Sequence, residues 1–557
     1  MNEMQSKLNE SKPGSTEGCS WSADLWRIGL ILLLAFSTRF WVLRHTEVLS
    51  RDSIGFIRFA LQLEQPPEGK TRLDVIRSNA QPPGYPIALL AVSWPVRSVM
   101  GETTCDSMVL SAQLASIFAS LLLVFPMYFV GKLLFNRQIA TIAALLYQVL
   151  PVCTQVTSDG LSDSVFLLMM ALALWFSVVG LRRGGPSWFA AGGLFAGLAY
   201  LVRPEGLIVV VALGLVILGL KWRGVWTWKP ALVRSAALAT GLLIAMMPYV
   251  VTIGKLTNKP TGKGLTEGEL QPEWGRPSSQ SPPTGVAFPL AEWWNQEQGI
   301  FASRELWGVK ALSVEIIKAS FYVLPLFAIF GIFLLRSRLR QDASVVLLAL
   351  LGGLHLLLLW IVASRAGYVA ERHTLLVVLC GSYFTATAVA AMGVWLSRLP
   401  RLARHGQPAF WAWFITFALV AACIPAGMKS LHSNRAGHHA AGVWLSQHRE
   451  PDDWIIDPFA WTDFYANDVR SPTIPHPRSR VTFVVIEGKL NNPHPRLHFM
   501  PIALKFAEHG TLVYHWPTNV PADNAKVFIY RVDFSRELDR MPPDGVPPPI
   551  GDVAEMR

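Results

Sequence analysis

The chain has 557 residues, of which 52% are hydrophobic and only 16% are charged. A soluble domain carries about a quarter charged residues, so this composition excludes an ordinary soluble protein. Long apolar runs match the roughly 20 helical residues that a bilayer core about 30 Å thick requires. The sequence therefore predicts a mainly α-helical, multi-pass membrane protein.

Eleven charge-poor apolar runs follow a polar N-terminal segment, 1–24, which we predict to be disordered and cytoplasmic. We predict that each run forms one transmembrane helix, so that 25–427 is the membrane domain. The predicted spans are 25–43, 108–131, 138–153, 162–181, 187–202, 204–220, 231–253, 312–335, 343–363, 373–396 and 409–427. The shorter run in 81–100 contains two prolines, which favours a helix lying in the membrane plane.

Basic residues are distributed unevenly between the predicted loops. Five short connectors hold 13 Lys/Arg and one acid, whereas the short loops of the opposite side hold three arginines, Arg203, Arg365 and Arg372. The five connectors are 132–137, 182–186, 221–230, 336–342 and 397–408. Since positively charged loops stay in the cytoplasm, we predict a cytoplasmic N-terminus and an extracytoplasmic tail in a bacterial inner membrane. This pattern explains the net charge of +11 without a nucleic-acid partner.

Three large polar segments then share the extracytoplasmic side, namely the loops 45–107 and 254–311 and the tail 428–557. The tail alternates strand-like runs (DWIID, VTFVVIEG and KVFIYRVD) with a helical one, PIALKFAEHG. Short strands mixed with a helix favour a small α/β domain. The predicted fold is thus a membrane domain of about 11 helices followed by a small extracytoplasmic α/β domain.

The loop 45–107 opens with RHTEVLSRDSIGFIRFALQLE, in which Arg51 and Asp52 precede apolar residues at helical spacing. This spacing predicts a helix along the membrane surface with Asp52 near its start. A carboxylate there can accept a proton from an acceptor hydroxyl or hold a metal. The alternative is a structural helix cap with Arg51 as its local partner.

Two further acids, Asp159 and Asp163, lie in TSDGLSDS on the same predicted side of the membrane. Because they are four residues apart, both face one side of a helix start. They are candidates to bind a substrate there. The alternative is capping of the next span and stabilisation of its helix dipole.

The arginines of the extracytoplasmic short loops are the remaining candidates. In AYLVRPEG, Arg203 and Glu205 must lie at the membrane interface, where charged groups are costly enough to indicate function. The loop SRAGYVAERH adds Arg365 and Arg372. Arginine suits forked contacts with phosphate oxygens. For Arg203 and Glu205 the alternative is a structural ion pair with each other.

Five segments stand out in chain order, namely RDSIGFIRFA, QPPGYPIALL, SDGLSDSVFLLMMALAL, GLFAGLAYLVRPEGLIVV and ERHTLLVVL. They resemble motifs of the GT-C superfamily of polytopic glycosyltransferases, which includes protein O-mannosyltransferases and the lipid A aminoarabinose transferase. The first departs from the double-acidic form of the mannosyltransferases because Ser53 follows Asp52. The last has His373 where the family has tyrosine. The resemblance extends over residues 25–400.

This resemblance implies an enzyme that moves a sugar from a polyprenyl-phosphate donor to a lipid, glycan or protein acceptor outside the cytoplasm. Asp52 would activate the acceptor nucleophile, and the loop 254–311 would cover the site. Residues that would bind the donor phosphate, the sugar or the acceptor are Arg51, Asp159, Asp163, Arg203, Glu205, Arg365 and Arg372. No cofactor is required, and the sequence leaves a divalent metal open.

Two other classes of protein are alternatives. A multi-pass transporter would place ionisable groups near the middle of the membrane and carry an inverted repeat, whereas here the charges collect on one side. A non-catalytic membrane protein would have no use for clustered extracytoplasmic arginines.

Overall fold

The computed structural model describes residues 21–259, 303–402, 406–450, 453–469, 481–488 and 500–533. Most of the N-terminal segment that we predicted to be disordered, and most of the predicted covering loop, therefore lie outside the described residues. The first helix begins at Trp21, inside the segment predicted to be disordered.

Helices dominate the described chain up to residue 427, as the composition predicts. They are α1 (Trp21–Arg44), α2 (Arg51–Glu64), α3 (Arg72–Ser78), α4 (Gly84–Met100), α5 (Cys105–Leu134), α6 (Arg137–Val149), α7 (Pro151–Val156), α8 (Asp163–Arg183), α9 (Pro186–Val202), α10 (Ile208–Trp222), α11 (Trp228–Ile253), α12 (Arg304–Ala319), α13 (Leu324–Leu334), α14 (Arg336–Gln341), α15 (Ala343–Ala366), α16 (Leu375–Leu396) and α17 (Pro408–Gly427). Single turns of 3-10 helix precede α10 and α16.

The predicted number of eleven spans is not confirmed. Within the described residues, eight helices are long and apolar enough to cross a membrane, or nine if the bent pair α12–α13 is one span. Two predicted spans form shorter helices. The span 187–202 corresponds to α9, which has 17 residues, and the span 138–153 is divided at Leu150 into α6 and α7. The mainly helical, multi-pass architecture is confirmed.

The span predicted as one helix at 312–335 is in fact broken. Helices α12 and α13 meet at an angle of 98°. At the break, Phe321 and Tyr322 have positive φ values of 51° and 61°, a left-handed conformation that ends a right-handed helix. Hydropathy depends only on which residues are apolar and not on the direction of the chain. The continuous apolar run 312–335 therefore gave no sign of this bend.

The helical bundle has two chemically different ends. At one end Asp24 pairs with Lys132 at 2.5 Å, and Arg182 pairs with Asp342 at 2.6 Å. We call this the basic end. The opposite end, where α2 begins, we call the Asp52 end. The predicted basic connectors and the predicted site residues thus belong to different ends of the molecule.

The QPPGYPIALL segment forms the start of α4 and joins two parts of the Asp52 end. Gly84 packs so closely on the end of α9 that a Cβ there would lie 2.5 Å from the carbonyl oxygen of Leu201. The buried Tyr85 donates its hydroxyl hydrogen to the carbonyl of Gly160 at 2.5 Å. Through these contacts α4 holds together the loop before α8 and the end of α9, and both carry predicted site residues.

The described residues between 436 and 533 form a small unit, which we call the C-terminal α/β unit. Its elements are α18 (Ala436–His448), β1 (Trp454–Ile456), α19 (Thr462–Tyr465), β2 (Val481–Glu487), α20 (Met500–Glu508), β3 (Thr511–Trp516) and β4 (Val527–Asp533). The sheet has the order β1-β2-β4-β3, with β1 and β2 parallel and the other pairs antiparallel.

Alternation along β2 builds a core on each face of this sheet. Val484 and Ile486 pack on the side of α20, whereas Phe483 and Val485 pack on the side of α18. Three of the four strands and the helix α20 coincide with predicted elements. The strand β3, whose first three residues are all exposed, was not predicted.

Candidate active site

Asp52 lies in the first turn of α2 and forms an ion pair across the Asp52 end. Ser50 caps this helix, since its side chain accepts a hydrogen bond from the N–H of Ser53. The carboxylate of Asp52 is therefore free of the capping role, and its Oδ2 lies 2.5 Å from Nη2 of Arg372. These two residues are 320 positions apart in the chain. Because the side chain of Asp52 is 52% exposed, its carboxylate remains accessible.

The charges around Asp52 determine its ionisation. Desolvation by the surrounding protein would by itself raise the pKa of Asp52, although its side chain is half exposed. The charge and hydrogen bond of Arg372, with smaller contributions from Arg203 and Arg51, outweigh this effect and hold the pKa below its usual value. The carboxylate is thus ionised at neutral pH, when it accepts hydrogen bonds and protons.

Arg203 is held in one orientation by the start of α8. Its Nη2 lies 2.6 Å from Oδ2 of Asp163, and its Nε donates to Oγ of Ser162 at 3.2 Å. Its guanidinium also lies 5.7 Å from the ring centre of Phe166, at cation–π distance. Asp163, whose side chain is only 2% exposed, therefore acts in the structure as the partner of Arg203.

Glu205 has a different partner from the one that the sequence suggested. Its Oε1 lies 3.7 Å from Nζ of Lys259, while Arg203 pairs elsewhere. Burial lowers the pKa of Lys259, and the charge of Glu205 opposes that effect. Sequence reasoning missed Lys259 because it lies in the long polar loop 254–311, whose composition does not indicate which residues approach the site. The Asp52 end thus carries a third, partly buried cation beside the two arginines.

The other predicted site residues lie apart from this group. The carboxylate of Asp159 accepts a hydrogen bond from the N–H of Ser50 at 2.9 Å and lies 2.9 Å from Nε2 of His432. It thus supports the start of α2. Arg365 is exposed at the end of α15, where its charge acts on Glu305.

The described residues provide no ready ligand set for a metal ion. Among them, no group of three or more His, Cys, Asp or Glu side chains is arranged to hold one. The chemistry that these residues offer is that of an accessible, ionised carboxylate, Asp52, beside several cations that are paired with carboxylates. Such a group can bind an anion and accept a proton next to it.

Comparison with known protein families identifies a match to part of the chain. The family model for dolichyl-phosphate-mannose-protein mannosyltransferases matches residues 98–251. This segment includes Asp159, Asp163, Arg203 and Glu205. No curated protein sequence matches the chain.

Solved structures show the same fold. ArnT from Cupriavidus metallidurans, solved with bound undecaprenyl phosphate, has a TM-score of 0.54 and 12% identity over 91% of this chain and 98% of that one. The Archaeoglobus fulgidus oligosaccharyltransferase, solved with zinc and sulfate, has a TM-score of 0.54 and 13% identity over 90% of this chain and 72% of that one. Together with the family model, these likenesses confirm the predicted resemblance to GT-C glycosyltransferases.

Proposed function

We propose that this chain, which shares the fold of GT-C glycosyltransferases, transfers a sugar from a polyprenyl-phosphate donor to an acceptor at the extracytoplasmic surface. The observation that carries the proposal is the ion pair of Asp52 with Arg372, with Arg203 near enough to act on the same carboxylate. A base for the acceptor and cations for the leaving phosphate are what this transfer requires. The undecaprenyl phosphate bound by ArnT supports a lipid-phosphate donor.

In the proposed reaction the acceptor oxygen forms a bond to the anomeric carbon of the sugar. The bond between that carbon and the donor phosphate oxygen breaks, and the phosphate keeps the electron pair. The acceptor proton passes to the carboxylate of Asp52. Negative charge therefore grows on the leaving polyprenyl phosphate, where Arg372 and Arg203 would stabilise it by charge-assisted hydrogen bonds.

Arg372 would serve both halves of this reaction in turn. Paired with Asp52, it lowers the pKa of that carboxylate and so makes it a weak base. A donor phosphate that binds Arg372 adds negative charge beside the carboxylate and releases part of this pairing. Asp52 then becomes a stronger base toward the acceptor hydroxyl. The donor is therefore expected to bind before the acceptor reacts.

The remaining residues would support the donor site. Asp163 holds Arg203 in place, and Lys259 with Glu205 adds a further cation close by. Arg365 lies apart from this group, so we leave it out of the proposed site. Following the charge bias of the loops, we place this site on the extracytoplasmic side of a bacterial inner membrane.

The test is a transfer assay with the full-length purified protein in lipid nanodiscs. Polyprenyl phosphates that carry radiolabelled hexoses or pentoses serve as donors, with lipid, glycan and peptide fractions as acceptors. We expect the label to move to one acceptor fraction and polyprenyl phosphate to be released. A transporter would move intact donor across a vesicle membrane and leave the sugar–phosphate bond unbroken. If the folded protein cleaves none of these donors, the proposed function is wrong.

A further inference from the structure

The backbone just before α2 is fixed by the C-terminal α/β unit. Leu49 is 0% exposed. Its N–H donates to the hydroxyl of Tyr465 at 2.9 Å, and its carbonyl accepts from Nε1 of Trp461 at 2.8 Å. Since buried backbone groups need partners, this residue depends for both of its polar groups on two side chains at the ends of α19. Leu49 precedes Asp52 by only three positions.

The same short segment binds α2 a second time, beyond Asp52. Nη2 of Arg58 lies 2.8 Å from Oδ2 of Asp463, and the side chains are only 4% and 10% exposed. The guanidinium of Arg58 also lies 6.0 Å from the ring centre of Phe464. An ion pair so shielded from water is costly to break. The two attachments lie on either side of Asp52 along the chain.

A third contact links the cap of α2 to the chain entering the C-terminal α/β unit. Asp159 accepts from the N–H of Ser50, and its backbone carbonyl accepts from the hydroxyl of Ser53 at 2.5 Å. Its other carboxylate oxygen binds His432, which lies between α17 and α18. The start of α2 is therefore connected to residues that follow the last membrane helix.

From these contacts we infer that residues 461–465 of the C-terminal α/β unit are a positioning element for Asp52. They hold the first turns of α2 so that the carboxylate faces both Arg372 and the acceptor. The inference rests on the proposed function, and it gives this unit a part in the reaction. Because a misplacement of about 1 Å can lower a rate about 100-fold, loosening this element should slow transfer without weakening donor binding.

Two conservative variants test the inference. Tyr465→Phe removes one hydroxyl, and Trp461→Phe removes the indole N–H while keeping an aromatic ring. In each, we expect kcat to fall about tenfold or more, while KM for the donor changes less than about twofold. A purely structural role would lower the amount of folded protein but leave kcat per folded molecule unchanged.

Two control variants in the same unit separate positioning from stability. Tyr530→Phe on β4 makes the same chemical change outside this element. Val485→Ala removes two buried methyl groups from a core cluster of the sheet that contains no residue of α2. Both should keep kcat within about twofold of the parent value, since neither alters the contacts that fix Leu49. If Val485→Ala lowers kcat as much as Tyr465→Phe does, the inference is wrong.

Hydrogen exchange tests the inference independently of activity. With Tyr465→Phe, amides of residues 48–58 should exchange about tenfold faster than in the parent protein, because a buried N–H has lost its acceptor. Unchanged exchange in this segment would overturn the inference, even if Tyr465→Phe lowered transfer. If the parent protein transfers no sugar but Tyr465→Phe still speeds this exchange, the contact with α2 is supported and the proposed function is wrong.

Discussion

Asp52 is the residue on which the proposed chemistry depends most directly. Asp52→Asn should fold normally, since Ser50 and not Asp52 caps α2. We expect transfer to fall by about 10²–10⁴, the usual contribution of a positioned general base. Donor binding should persist, because the amide removes a negative charge beside the phosphate site. Transfer rates and binding of a radiolabelled donor lipid, measured on the same preparation, check both expectations.

Asp106→Asn is a matched control for this variant, because Asp106 also lies in the first turn of a helix, α5. It should retain transfer within about twofold of the parent rate. Near-normal transfer by Asp52→Asn, together with its loss in Asp159→Asn or Asp163→Asn, would move the catalytic carboxylate to the loop before α8 or to the first residue of α8.

The two arginines should respond to loss of their forked geometry. Arg203→Lys and Arg372→Lys keep the positive charge but cannot present two parallel N–H groups to a phosphate. We expect KM for the donor to rise about tenfold or more in each, the equivalent of about 1.4 kcal/mol of lost binding. Arg72→Lys, at an exposed position on α3, is the control. Steady-state kinetics with varied donor decide the matter, and an unchanged KM in both variants would exclude them as phosphate ligands.

At the scale of elements, sequence patterns predicted position better than shape. Each predicted span coincides with a helix or helix pair, because hydropathy records where apolar residues lie. It could not show that α12 and α13 bend by 98°, since that depends on the backbone at Phe321 and Tyr322. The sequence analysis also missed β3, whose first three residues are all exposed. Local composition thus identifies elements, whereas their breaks and edges depend on tertiary contacts.

The packing of α9 on α11 gives a prediction at this scale. A Cβ added at Gly241 would overlap the carbonyl of Ala190, so the two helices touch through their backbones. Gly241→Ala should destabilise the protein by about 1–3 kcal/mol through overpacking. Because Arg203 directly follows α9, transfer should fall as well. Thermal unfolding in detergent and the transfer assay measure both effects.

Gly214→Ala is the matched control for Gly241→Ala, because a Cβ at Gly214 on α10 meets nothing within 4 Å. It should leave stability unchanged or raise it by up to about 1 kcal/mol, since alanine favours a helix more than glycine does. Equal losses of stability in both variants would show that helix propensity, and not close packing, explains the result.

At the scale of the whole molecule, the site was predicted only as a list of residues. Sequence placed Asp52, Arg203 and Arg372 on one side of the membrane from loop charges, and the structure brings them to one end. Pairings such as Asp52 with Arg372, 320 positions apart, follow from the fold and leave no local signal. The pairing of Lys259 with Glu205 and the contact of Tyr465 with Leu49 in the loop 45–107 likewise leave no local signal in the sequence.

The arrangement of the two ends also makes the topology testable. Arg182 pairs with Asp342, so the end of α8 and the start of α15 lie together at the basic end. His432 binds Asp159, so the chain after α17 lies at the Asp52 end. Whichever way the protein is oriented, reporters at the end of α8 and at the start of α15 must therefore lie on the same side of the membrane. A reporter after α17 must lie on the other side.

Reporter fusions after Arg183, Arg338 and Pro451 test this arrangement. We expect the first two in the cytoplasm, because cationic connectors stay there, and the third outside. Paired reporters that are active on only one side of the membrane, such as a fluorescent protein and a periplasmic phosphatase, assign each position. If the first two disagree, the bundle itself is wrong. If all three positions are reversed, the bundle stands and the charge bias has failed, which would move Asp52 and its arginines to the cytoplasmic face.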